Sequence, residues 1–150
     1  MSARVVRDAR ELLQLAELTD IVFHEIHGKR VDNTEDDGAF SLNVMTRSEP
    51  QLLEIRCHAT ASGAGGEYVA DVSAVFTLSE PVELSPDVTR EFAEKVGVMA
   101  VYPYVRESMT QSGAKLGLDR PVLPLLRAGD VKLDTPDSTS QANSSDPATA

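Results

Sequence analysis

Metal ligation and nucleophilic catalysis need histidine, cysteine or paired carboxylates that converge, and this chain offers His24, His27, His58 and Cys57. His24 and His27 are three residues apart, which on a strand puts them on opposite faces, and the adjacent Cys57 and His58 also diverge. A site drawing one residue from each pair is geometrically open, but these positions read first as ordinary strand residues, and no metal is expected. Cys57 lies in the series Leu53, Ile55, Cys57, Ala59, where an inward thiol behaves as a small inert apolar group. The glycines of Gly63-Ala64-Gly65-Gly66 link two strands rather than opening a helix, so they do not form a phosphate cradle. The run Asp32-Asn33-Thr34-Glu35-Asp36-Asp37 lacks the glycine and terminal glutamate of a calcium-binding EF-hand loop. With no general acid, base and nucleophile brought together, the expectation is a non-enzyme without a cofactor.

Composition narrows the remaining classes. The chain has 150 residues, enough for one domain with its own core. It contains no tryptophan, so Val, Leu, Ala and Ile must fill that core. Fourteen basic residues face 24 acidic ones, and the net charge of −10 repels phosphates and anionic membrane surfaces. No nucleic-acid partner is expected. A single cysteine excludes an internal disulfide and fits a reducing compartment. No apolar run approaches the ~20 residues that span a bilayer, and Met1–Asp8 lacks the apolar stretch of a secretory signal. These features predict a soluble cytoplasmic protein without membrane insertion.

The elements follow from periodicity. Val5, Val6, Ala9, Leu12, Leu13 and Ala16 recur at offsets of three and four and predict an amphipathic helix over 3–17. From Leu18 to Glu80 the period becomes two. Ile21, Phe23 and Glu25 alternate with Asp20, Val22, His24 and Ile26; Phe40, Leu42 and Val44 alternate with Ser41, Asn43 and Met45. The Leu53–Thr60 and Tyr68–Leu78 segments alternate likewise, giving four antiparallel strands with one packed face. Ser62–Gly66 supplies a tight turn, Arg47-Ser48-Glu49-Pro50 a second, and Gly28–Gly38 a charged loop. Ser85-Pro86-Asp87 starts a helix, with Ser85 as N-cap. Gly97 ends its first stretch or permits close packing, and a second helical stretch runs from about Val98 to Lys115. Pro103 inside it predicts a kink or fresh start, and Gly113 and Gly117 close it. Pro121-Val122-Leu123-Pro124-Leu125-Leu126 is an extended apolar strip.

The fold class expected is thus α+β: a short N-terminal helix, a four-stranded antiparallel sheet followed by helices, and a disordered C-terminal tail. One domain covers 1–132, and the polar and acidic tail covers 133–150, where no apolar period survives. The helices only partly cover such a sheet, and Val22 and Ile26 ask for burial on the first strand's second face. Association between subunits is expected.

The run Val101-Tyr102-Pro103-Tyr104-Val105-Arg106-Glu107-Ser108 resembles the aromatic-Pro-Tyr-x-Arg-Glu signature of the SecB family. Phe92–Gly97 upstream, the Gly117, Pro121, Leu123, Leu125 strip downstream, the Gln51–Phe76 hairpin and Asp20-Ile21-x-Phe23 extend the likeness over about residues 15–130. The resemblance implies a homotetramer, a dimer of dimers, that holds unfolded precursor polypeptides in apolar grooves and supports protein export. Its client-binding candidates are Val98, Met99, Val101 and Tyr102 on the helix, Val122, Leu123, Leu125 and Leu126 on the strip, and Phe40, Leu42 and Met45 on a strand. Arg106 and Glu107 imply a salt bridge between subunits. Asp20, Val69 and Asp71 match positions where SecB docks the translocase motor SecA, while a further acidic position falls on His24, with Glu25 expected on the other face. The short Gly28–Gly38 loop and the lack of a C-terminal helix after Val131 are also similar to SecB-like chaperones whose partner is an antitoxin.

Overall fold

The structure, a computed structural model, describes residues 2–32, 38–119, 121, 123–127, 130, 131 and 133, together with the backbone of 140–143. Val122 and most of the acidic 32–37 run lie outside the described residues.

Strand β1 (Arg4–Val5) pairs in parallel with β6 (Val82–Glu83), and helix α1 is confined to Ala9–Leu15. The predicted 3–17 helix is therefore shortened at both ends. Asp8 sets the start, its side chain accepting the Glu11 N–H at 2.8 Å, while the Glu11 carboxylate reaches back to the Arg7 N–H. At the other end the backbone turns extended at Ala16, and sheet pairing takes over at once.

The sheet is built from β2 (Ala16–Arg30), β3 (Ala39–Glu49), β4 (Leu52–Gly63) and β5 (Gly66–Leu78), all antiparallel, with β7 (Ser140–Asn143) added at one edge. Their spatial order is β2-β5-β4-β3-β7. The β4–β5 turn is Ala64-Gly65, both with positive φ, as a twist-matched two-residue hairpin requires. The turn predicted over Arg47–Pro50 is displaced: β3 continues through Glu49, and Pro50-Gln51 makes the connection, since Pro50 cannot donate to the ladder.

Alternation places Phe40, Leu42 and Val44, Leu53, Ile55, Cys57 and Ala59, and Tyr68 through Leu78 at every second position, all buried, on one side. The helices lie over that side. Ser85 accepts the Val88 N–H at 3.2 Å and starts α2 (Pro86–Phe92), as its spacing predicts. A π-helical turn (Ala93–Gly97) leads without a break into α3 (Val98–Lys115). Gly97 does not end the helix; a side chain there would overlap Ile55, so glycine is what lets helix and sheet touch. Pro103 lies inside α3, and no new helix begins at it. Gly117, at φ +70°, closes α3, its N–H bonding Ala114 and that of Leu118 bonding Gly113.

Beyond α3 the strip packs back onto the same layer. The Tyr102 hydroxyl donates to the Pro124 carbonyl, Leu123 and Leu126 pack on the core, and Val131 and Leu133 are buried. Leu133 donates its N–H to the Glu94 carboxylate at 2.8 Å. Within the tail expected to be disordered, Leu133 is thus anchored and Ser140–Asn143 pair with Ser41–Val44 of β3. Main-chain pairing needs no apolar period, which is why composition did not reveal it.

Two bulges interrupt β2, between Leu18 and Asp20 and between Phe23 and Glu25. The second moves Ile26 onto the helix side with Ile21 and Phe23, and Glu25 onto the outer side opposite Asp71. Both differ from the predicted faces, because an extra residue at His24 reverses the alternation after it. For the same reason His24 and His27 share the outer face instead of opposing each other.

Candidate functional site

Two surfaces gather the predicted residues. On the helix side, Phe40, Leu42, Val98, Val101 and Tyr102 are buried within the single chain. The Phe40 ring meets Tyr102 edge to face at 6.0 Å between centroids. The strip that would share a groove with them packs back onto the core, with the Tyr102 hydroxyl donating to the Pro124 carbonyl; Leu123 and Leu126 are half-buried, and Leu125 is 68% exposed. Met99 is half-buried on α3. Met45 faces the opposite side of the sheet, level with Arg56, so it does not join Phe40 and Leu42.

Apolar surface stays open along the rim of the helix layer. Leu18 (42% exposed), Phe23 (43%) and Ile26 (55%) project from β2, the sheet edge that no other strand covers among the described residues. Phe23 meets the Tyr104 ring of α3 edge to face at 6.2 Å. Leu13 and Val5 are also exposed on the N-terminal segment. Large apolar side chains in a row on an open strand mark a surface that partners cover. The sequence marked Ile26 as a residue asking for burial, but on the face opposite Phe23, and it did not mark Leu13 or Leu18 as exposed; the bulge that aligns Ile26 with Phe23 leaves no compositional trace.

The outer face carries a ladder of charges. Arg56 grips Asp71 through two hydrogen bonds of 2.8 Å, and His58 Nδ1 lies 3.1 Å from the same carboxylate. The Arg56 hydrogen bonds hold the Asp71 carboxyl below its ordinary range. Arg47 bonds Glu54 at 3.0 Å and Glu49 at 2.8 Å, and His24 Nε2 lies 2.9 Å from the Ser73 hydroxyl and 3.8 Å from Glu54. Asp71 is only 5% exposed, whereas Asp20 is open to solvent. Val69, with His27, Lys29, Thr60, Ser62 and Glu67, lines a hollow of about 340 Å³ at the far end of this face.

Glu25, His58 and Asp71 bring one ligand atom each to within 4.8 Å of one another. Both Asp71 oxygens already accept from Arg56, whose positive charge opposes a cation there, so the cluster reads as an ion-pair network. Cys57 is buried and its thiol pushed up to about 12 by that burial, which leaves it unreactive. Arg106 is exposed, its guanidinium 5.1 Å above the Tyr102 ring. Among the described residues, no helix is long and apolar enough to cross a membrane.

No family model matches the chain. It is, however, 56% identical over 131 residues to the SecB-like chaperone SmegB of Mycolicibacterium smegmatis, covering 87% of this chain and 89% of that protein. The chain belongs to the SecB-like chaperones. Among solved structures, it is similar to a Mycobacterium tuberculosis SecB-like chaperone in complex with a ChAD peptide from the HigA1 antitoxin, with a TM-score of 0.66. That likeness covers 79% of this chain and 92% of the other at 17% identity, and it is one of fold. The α+β architecture expected from the sequence is accordingly that of a SecB-like chaperone. On the outer face of this SecB-like chaperone, Asp71, the most deeply set carboxylate among the described residues, is paired with Arg56 of the same chain.

Proposed function

We propose that this SecB-like chaperone is a non-enzymatic holdase that keeps an extended, apolar polypeptide from aggregating, and that its main client is an antitoxin-like partner. The single observation behind this reading is the open apolar row Leu18, Phe23 and Ile26 beside Tyr104, on a subunit of net charge −10. Each Å² of apolar client surface covered contributes roughly 25 cal/mol, and the acidic charge keeps such a surface soluble. The antitoxin peptide held by the structurally similar chaperone favours the same client class.

Capture of clients from cells under a cross-linker, followed by mass spectrometry, tests the client class. One dominant small partner supports the proposal. A broad set of secretory precursors would replace it with the second reading, general holding for export through SecA, which the exposed carboxylate of Asp20 on the outer face favours. Failure to suppress aggregation of any unfolded chain would end both.

The same row is suited to self-association, and the homotetramer is proposed on that ground. Phe23→Asp together with Ile26→Asp is expected to lower the solution mass measured by light scattering. An unchanged mass would place the contact between subunits elsewhere, and a monomeric starting protein would end the tetramer proposal.

A further inference from the structure

The two edges of the sheet are treated differently. Among the described residues no strand pairs with the outer side of β2, while β3 is covered along Ser41–Val44 by a strand from the chain's own C-terminal segment, Ser140–Asn143. The covering strand reads Ser-Gln-Ala-Asn, with no β-branched or aromatic residue, the types that hold strands by side-chain packing. What it offers is backbone pairing, which any extended polypeptide could offer equally. The register is antiparallel and spans four of the eleven residues of β3. Beneath that stretch, Leu42 and Val44 belong to the core, so the edge is rigid and pre-formed.

A bare edge of this kind is a template for unwanted pairing between molecules. A weak occupant solves that problem without removing the edge from use. We propose that Ser140–Asn143 is a resident competitor: it caps the β3 edge in the empty chaperone and is expelled when an extended client adds there as a strand. The proposal rests on the holdase reading above, and it adds where the client's backbone docks and what must leave first.

Full-length protein carrying Gln141→Pro and Ala142→Pro tests it. Two successive prolines remove a donor whichever residue faces β3. A second full-length variant, Gln141→Val with Ala142→Ile, strengthens the competitor instead. Without client, hydrogen exchange at the β3 amides of Ser41–Val44 should quicken in the proline variant and slow in the valine–isoleucine variant. Affinity for a fluorescent, unstructured apolar peptide should tighten by about threefold or more in the first variant and weaken in the second, because a competitor reduces the competent fraction. Shifted exchange with unchanged peptide affinity in both variants would overturn competition. Unchanged exchange would overturn the cap itself. If no variant, and not the parent either, binds any unfolded peptide while exchange shifts as stated, the holdase reading fails and the cap stands.

Discussion

Arg56 and Asp71 form a forked pair, with both guanidinium-to-carboxylate hydrogen bonds at 2.8 Å, although they are diagonal rather than directly opposite on β4 and β5. Asp71 faces His58 in the ladder, so one buried carboxylate serves two side chains. A SecA-type basic segment would have to compete with Arg56 for it, which weighs against docking through Asp71.

Removal of the guanidinium should therefore have a pH signature. Because Asp71 titrates below its ordinary value, its contribution is present above the unfolded carboxylate pKa and is lost as pH falls through the lower folded one. Arg56→Met should cost about 1–2 kcal/mol near neutral pH, and its acid unfolding should begin at higher pH than in the parent. Denaturant titrations at pH 3–7 would check this; parallel curves for the two proteins would mean that the pair contributes nothing.

At the helix–sheet contact, a methyl group on Gly97 would lie 2.8 Å from Cγ2 and 2.9 Å from Cβ of Ile55. Gly97→Ala should destabilise by about 1–3 kcal/mol through overpacking. Combined with Ile55→Ala, the loss should be smaller than the sum of the two single changes, since the second opens room for the first. Additive losses in a thermal double-mutant cycle would contradict the contact.

Tyr68 has a buried hydroxyl with no hydrogen-bond partner among the described residues, and burial raises its pKa. An unpaired buried donor is a cost rather than a support. Tyr68→Phe should leave stability unchanged or raise it by about 1 kcal/mol, as read from the urea midpoint. A clear loss would reveal a partner for that oxygen.

The apolar strip separates into two roles. Leu123 packs on the core and Leu125 does not. Leu123→Asp should cost about 2 kcal/mol or more, whereas Leu125→Asp should stay within about 0.5 kcal/mol. If Leu125 belongs to the client surface, its substitution should still weaken suppression of client aggregation, followed by light scattering.

Much of this was legible in the residues. Strict alternation from Leu53 to Leu78 dictated which side is buried, and Ser85-Pro86-Asp87 marked its helix start to the residue. The two-residue Ala64-Gly65 turn alone sets His58 opposite Asp71, so part of the outer-face network could have been read in advance. Other features escaped for definite reasons. Phe40, Leu42, Val101 and Tyr102 are apolar whether they line a groove or fill a core, and only their burial in the folded chain separates the two. The faces of Glu25 and Ile26 depend on one unpaired residue in β2, which has no sequence signature. The strand at Ser140–Asn143 consists of residues that favour coil, and it exists through its neighbour's backbone.

The irregularity at His24 means that the pairing of a single residue, and not only residue identity, sets the sidedness of β2. Drawing His24 into the ladder, with nothing else changed, would move every later residue of the strand to the other face, whereas deleting His24 would leave those faces as they are. A strand regularised in that way would send Ile26 to the charged side and Glu25 to the greasy one, so one residue left out of the pairing keeps a sticky rim from becoming an acidic fringe.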